Sequence, residues 1–182
     1  MSTLKIEPLK GRRFGLIADA HIHPGKTPPL PPSLPQLFAG VDGIIALGDM
    51  GEASALDALE RIAPLVAMTG EDDAHGDTRL EPRRLLGCGG LCIAALFDGA
   101  KSGLLAANDP LAVPEDFETA FVPIFGRKPD ILLCASTHKP VTAHAAGVLI
   151  VNPGSPTLAD VPNVAVLEIA GGLARVEQIR IG

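Results

Sequence analysis

Asp19-Ala20-His21 and Gly48-Asp49 are the places in this sequence where residue type and spacing first suggest chemistry. Each follows a short apolar run: Phe14-Gly15-Leu16-Ile17-Ala18 before Asp19, and Gly43-Ile44-Ile45-Ala46-Leu47 before Gly48. Such runs read as buried strands, and polar groups at the carboxyl ends of strands in an open α/β sheet are where ligands usually sit. An Asp-x-His pair is too short to mean much alone. A second apolar strand that also delivers an Asp into a loop points to a shared metal site. Later strand ends carry the same kinds of group: Gly70-Glu71-Asp72-Asp73, then Asp98-Gly99, then Ser136-Thr137-His138.

The elements that must position these groups follow from pattern. After the first strand, residues 24–33 are rich in proline and read as a stiff surface loop. The Gly25-Lys26-Thr27 within it lacks the spacing of a phosphate loop, and its prolines remove the amides that would cradle phosphate. Ser33 is positioned to cap a short helix through about Ala39. Apolar residues at helical spacing predict a helix over 53–62, closed by Pro64, before a third strand over 65–68. Strands alternating with helices at this length imply a parallel sheet. From Arg83 the pattern changes to hairpins: 83–88 with 91–97 around Gly89-Gly90, 141–145 with 148–151 around Gly147, and 164–169 with 174–181 around Gly171-Gly172. Between them, 101–113 reads as loop, 115–125 as a helix opened by Pro114, and 131–135 as another apolar strand.

A chain of 182 residues, 47% apolar, fits a single domain over 1–182 with one good core. Six Phe with no Trp or Tyr leave few stacking surfaces for bases, and a net charge of −6 without a Lys/Arg run argues against a nucleic-acid-binding patch. No apolar run approaches the ~20 residues that cross a bilayer, and residues 1–5 lack an export-signal pattern, so a cytoplasmic protein with no membrane partner is expected. Cys88, Cys92 and Cys134 lie in apolar runs without a Cys-x-x-Cys pair, and read as buried thiols.

Taken in order, the strand-end groups over residues 12–160 resemble those of the calcineurin-like metallophosphoesterases, in particular their small bacterial and archaeal phosphodiesterase branch. That family's run is Asp-x-His, Gly-Asp, Gly-Asn-x-Asp or Gly-Asn-His, His-Gly, Gly-His-x-His, then Asn-Pro-Gly-Ser. Asp19-Ala20-His21, Gly48-Asp49 and Asn152-Pro153-Gly154-Ser155 match it, whereas Glu71, Asp98 and Ser136 stand where the family has Asn, His and His. The resemblance implies an α/β fold, a four-layer α/β/β/α sandwich of two mixed sheets. It implies one metal on Asp19, His21, Asp49 and His138, and a second sharing Asp49 with Glu71 and Asp98, Ser136 being at best a weak ligand. The residues it carries into catalysis are Asp49 as the bridge, His138, and Asp72, which stands where some relatives have His. The implied activity is hydrolysis of a small phosphoester, a phosphodiester first, by metal-activated water, with self-association into a homodimer or larger oligomer.

The substitutions have physical consequences. Four carboxylates (Asp19, Asp49, Glu71, Asp98) would cancel two divalent ions, and unit charges ~4 Å apart interact by ~4 kcal/mol at an effective dielectric of ~20. Attraction for an anionic substrate should therefore fall. Carboxylate in place of imidazole hardens the second site, favouring Mn²⁺, then Mg²⁺, over Zn²⁺ or iron. Two ions, one or none per chain are all open at this point. So are two bland readings: Glu71 and Asp98 turned to solvent or paired with a base, and the whole chain as a non-catalytic binding or assembly module that keeps the fold.

Overall fold

Strands β2 (Arg13–Ile17) and β3 (Gly43–Ala46) bury nearly every side chain, which a strand does only when both faces of its sheet are covered. The covering layers are visible in the computed structural model, which describes residues 4–106 and 113–182. One sheet runs β12 (Leu173–Arg180), β11 (Asn163–Ala170), β2, β3, β4 (Leu65–Met68), β5 (Leu80–Glu81). From β2 to β5 it is parallel, in register Phe14 with Gly43 and Ile45 with Val66, and the β11–β12 hairpin adds antiparallel to β2. The other sheet runs β1 (Ile6–Pro8), β6 (Arg83–Cys88), β7 (Leu91–Leu96), β8 (Ile131–Leu133), β10 (Val148–Pro153), β9 (Pro140–Ala145). Here β7, β8 and β10 are parallel, flanked by the antiparallel β6 and β9. Both sheets are mixed, so the expected division into a parallel half and a hairpin half is too sharp.

Alternation sorts the side chains into three cores. Phe14, Leu16, Ile45 and Leu47 meet Leu86, Ile93, Leu133 and Val151 between the sheets. Ile17, Ile44 and Ala46 face outward onto α1 (Leu34–Leu37) and α2 (Ala53–Glu60), through Leu34, Phe38, Leu56 and Leu59. Phe38 packs closely over β2 because Gly15 leaves room: a Cβ there would stand 2.9 Å from its ring. On the far side, Leu85, Leu96 and Ile150 pack with Phe117 of α3 (Phe117–Ala120), Phe125 of α4 (Val122–Phe125) and Phe121 at the junction between them. The result is the α/β/β/α sandwich. Truncating Phe38 or Phe121, both fully buried, should cost about 3–5 kcal/mol.

Several local expectations change. The helix predicted over 115–125 is two short turns, α3 and α4, because Pro123 removes an amide and crowds the turn before it. α1 is one turn, and the Ser33 hydroxyl does not cap it; the Ser33 carbonyl takes the Gln36 and Leu37 amides instead. β1 and β5, short edge strands, have no counterpart in the sequence reading. The 101–113 loop falls partly outside the described residues. Cys88, Cys92 and Cys134 are buried free thiols, and no helix among the described residues is long and apolar enough to cross a membrane.

Candidate metal centre

Loops from the carboxyl ends of β2 and β3 run side by side and continue the ladder beyond the strands. Asp19 donates its amide to the Gly48 carbonyl (3.0 Å), His21 to Asp49 (2.9 Å) and Ile22 to Met50 (3.0 Å). To turn there, the backbone enters the left-handed region at Asp19 (φ 51°), His21 (φ 47°) and Asp49 (φ 51°), and in the loop after β8 at Ser136 (φ 71°) and His138 (φ 59°). For residues with a Cβ this conformation costs about 1 kcal/mol or more each. The strain is held by specific bonds. Ser155 donates its hydroxyl to the Asp19 carbonyl and Thr157 to that of Ala20, both at 2.7 Å. The Asn152 amide reaches the Thr137 hydroxyl at 3.1 Å. The Asn-Pro-Gly-Ser turn thus ties together the loops that carry Asp19 and His138.

Asp19 is wholly buried, and neither carboxylate oxygen has a hydrogen-bond partner of ordinary geometry. Burial, then the neighbouring Asp49 carboxylate, pushes its pKa up to about 7, against the partial pull of His21 and the amides of His138 and Ser136. A buried carboxylate left in this state is costly unless a cation meets it. Asp19, His21 and His138 bring one donor atom each to within 4.8 Å of the others. His21 Nε2 stands 3.4 Å from His138 Nε2 and 3.6 Å from Asp49 Oδ2, and His138 Nε2 stands 3.9 Å from Asp19 Oδ1. Ligands at ~2.0–2.2 Å from one ion are spaced about this far apart. The donor set therefore fits a divalent cation.

Asp72 keeps His21 ready for that role. Its Oδ2 accepts from His21 Nδ1 at 2.6 Å and from His23 Nε2 at 2.7 Å, so the proton sits on His21 Nδ1 and the lone pair of Nε2 faces inward. The bonds from His23, then from His21, lower the Asp72 pKa. Its carboxylate is thereby held ionised as an acceptor between two rings, which is not the state of a proton donor. His138 is lowered too, by burial and then by His21, which favours the neutral, ligating imidazole.

Glu71 and Asp98 do not join this group. Glu71 is exposed and paired with the Lys101 ammonium. Asp98 Oδ1 accepts the amides of Ala100 and Lys101, each at 2.9 Å. The two carboxylates expected at a second metal are thus engaged by an ammonium and by backbone amides. Ser136 contributes a left-handed bend to the loop that carries His138.

Asp73, whose role the sequence reading missed, is the organiser beneath the centre. Buried, it accepts four amides: Asp49 at 3.0 Å, Met50 at 2.7 Å, Gly51 at 3.2 Å and Gly70 at 2.6 Å. Asp49 in turn takes the Asp72 amide on Oδ1 at 2.8 Å. Gly70 permits the approach, since a Cβ there would lie 2.2 Å from Asp49. An aspartate three residues after a glycine at a strand end was the available signal. Beside His138 a cavity of about 370 Å³ opens, its lining including Lys139, Asp160 and Arg180 together with Leu158 and Val161.

Fold and donor set together define a metallophosphoesterase architecture. The family model for the calcineurin-like phosphoesterase superfamily domain matches residues 13–172, and the chain belongs to that superfamily. It is 28% identical over 173 residues to a probable metallophosphoesterase of Methanothermobacter thermautotrophicus, covering 93% of this chain and 92% of that one. Among solved structures, the Thermotoga maritima protein TM1076 superposes with a TM-score of 0.69 at 28% identity, covering 94% of this chain and 100% of the other. Vps29 of Entamoeba histolytica, solved in complex with Zn²⁺, superposes with a TM-score of 0.68 at 21% identity, over 92% and 98% of the two chains.

Proposed function

We propose that this chain is a metal-dependent phosphoesterase acting on small phosphodiesters, one domain over its 182 residues, with Asp19, His21, Asp49 and His138 holding a divalent ion. The observation that carries this reading is the buried Asp19 carboxylate, unpartnered on both oxygens and facing two imidazoles. Mn²⁺ is the proposed ion, on the strength of the carboxylate oxygens of Asp19 and Asp49, with Zn²⁺ next because two imidazoles share the set. A divalent ion held there supplies Lewis-acid polarisation of a phosphoryl oxygen and lowers the pKa of water.

The chain's own residues supply the rest. Asp72 fixes the tautomer of His21, Asp73 fixes the loop of Asp49, and Ser155 fixes that of Asp19. The cavity beside His138 gives a phosphodiester room for an apolar substituent, and Lys139 and Arg180 add positive charge at its edge. With Asp72 held ionised, esters with acidic leaving groups should react first. The test is hydrolysis of bis(4-nitrophenyl) phosphate by the Mn²⁺-loaded protein, with Asp49→Asn alongside. Turnover lost in the variant supports the reading; no turnover with Mn²⁺, Mg²⁺ or Zn²⁺ overturns it.

A second reading has its own observation. Glu71 and Asp98 are engaged with Lys101 and backbone amides, so the chain also suits a non-catalytic module that binds an ion and a partner. Stoichiometric metal without hydrolysis would favour it. A cytoplasmic location and homo-oligomerisation belong to the same proposal and are checked by fractionation and by mass in solution.

A further inference from the structure

An ion pair between Glu71 and Lys101 joins the loops after β4 and β7. The lysine is set in place by a tight turn. Asp98 Oδ1 accepts the Ala100 and Lys101 amides, and Ser102 returns its hydroxyl to the Asp98 carbonyl at 2.8 Å. Glu71 and Asp98 are the residues that the family resemblance would give to a second ion. Here one is neutralised by an ammonium, and the other spends a carboxylate oxygen on two amides. Ser136, the remaining member, offers only a hydroxyl, a poor ligand for a divalent ion. The side chains present do not fit a second metal.

We propose that the chain binds one divalent ion, and that the Lys101 ammonium, held by Glu71, is the second positive charge of the site and excludes a second ion. The carboxylates of Glu71, Asp98 and Asp49 all favour the charged lysine, so the ammonium shares the field that a second ion would feel. Like charge then works against any divalent ion entering beside it. The inference rests on the metal-dependent reading above, and its test separates the two.

The experiment is elemental analysis of the purified protein after incubation with excess Mn²⁺ and desalting, for the parent chain, Lys101→Ala and Lys101→Arg. The expected counts are one Mn per chain for the parent and for Lys101→Arg, which keeps the charge, and between one and two for Lys101→Ala, which frees Glu71. Two ions in the parent overturn this proposal and leave the phosphoesterase reading standing. No ion in any of the three removes both. A count of one in Lys101→Ala shows that the lysine excludes nothing, and overturns its part. Lys101 is exposed, so thermal melting of the variants should match the parent and exclude misfolding as the cause.

Discussion

Two sets of strand-end loops, each drawn from both sheets, border this centre, and they are built on different principles. The loops after β2 and β3 are mostly buried and that after β8 half-buried; they are bent through left-handed residues, braced by hydrogen bonds, and present an unpartnered buried carboxylate. The loops after β4 and β7 meet through an exposed ion pair, a kind that water weakens and salt screens. The first set spends folding stability to hold donors where a cation belongs. The second engages Glu71 with Lys101 and Asp98 with backbone amides, and only Asp72 and Asp73 of its β4 loop turn inward to brace the first. Charged residues at corresponding strand ends therefore serve unlike purposes, and burial is what separates them.

The sharpest way to break the contrast is to remove a donor from the buried set. Asp19→Asn or His138→Ala should lower phosphodiester hydrolysis by about 10³-fold or more and reduce bound Mn²⁺ well below the parent's, read by steady-state kinetics and elemental analysis. Next in size is Asp73→Ala. Four amides lose a buried charged acceptor, so chemical denaturation should show a loss of about 3–5 kcal/mol.

The pH dependence of the chelator-treated protein comes third. Asp19 has a folded pKa raised from 3.8 to about 7, so the folded state holds that proton more tightly than the unfolded state. Its contribution is fully present below about pH 4 and lost as pH rises through 7, on the order of 4 kcal/mol. Asp73, also raised by burial, acts in the same direction. Urea midpoints measured across that range should fall, and Asp19→Asn should flatten the profile; a flat profile in the parent would mean that Asp19 finds a partner in solution.

Asp72→Asn sits lower, with a 10–100-fold loss of metal affinity by calorimetry as His21 loses its orienting acceptor. Smallest is Glu71→Ala, expected within about 0.5 kcal/mol of the parent in stability at 0.15 M salt. A large loss there would erase the distinction between the two sets of loops.

The buried set was legible before any coordinates. Apolar runs ending before Asp19 and Asp49 announce two buried strands and place both carboxylates in the loops at their carboxyl ends, whereas the left-handed bends that aim them leave no such signal. His138 could be read from the order of strand ends. The partners of Glu71 and Asp98 could not be read for a physical reason: a loop's position is carried by its strand, whereas its side-chain direction depends on what stands opposite. For Glu71 that neighbour is Lys101, thirty residues away in sequence. Asp73 stayed hidden because an acceptor of backbone amides leaves no pattern beyond an aspartate near a glycine. Pro123, by contrast, was visible and should have divided the helix.

The left-handed bends at Asp19, His21, Asp49, Ser136 and His138 bear on how this protein would respond to engineering. Glycine adopts that conformation freely, so replacing these residues by glycine relieves strain, and at Asp19 it also removes a buried charge. A library screened only for survival of heating would thus favour changes at these sites. Thermal selection without an activity assay should dismantle the centre while leaving the sandwich intact.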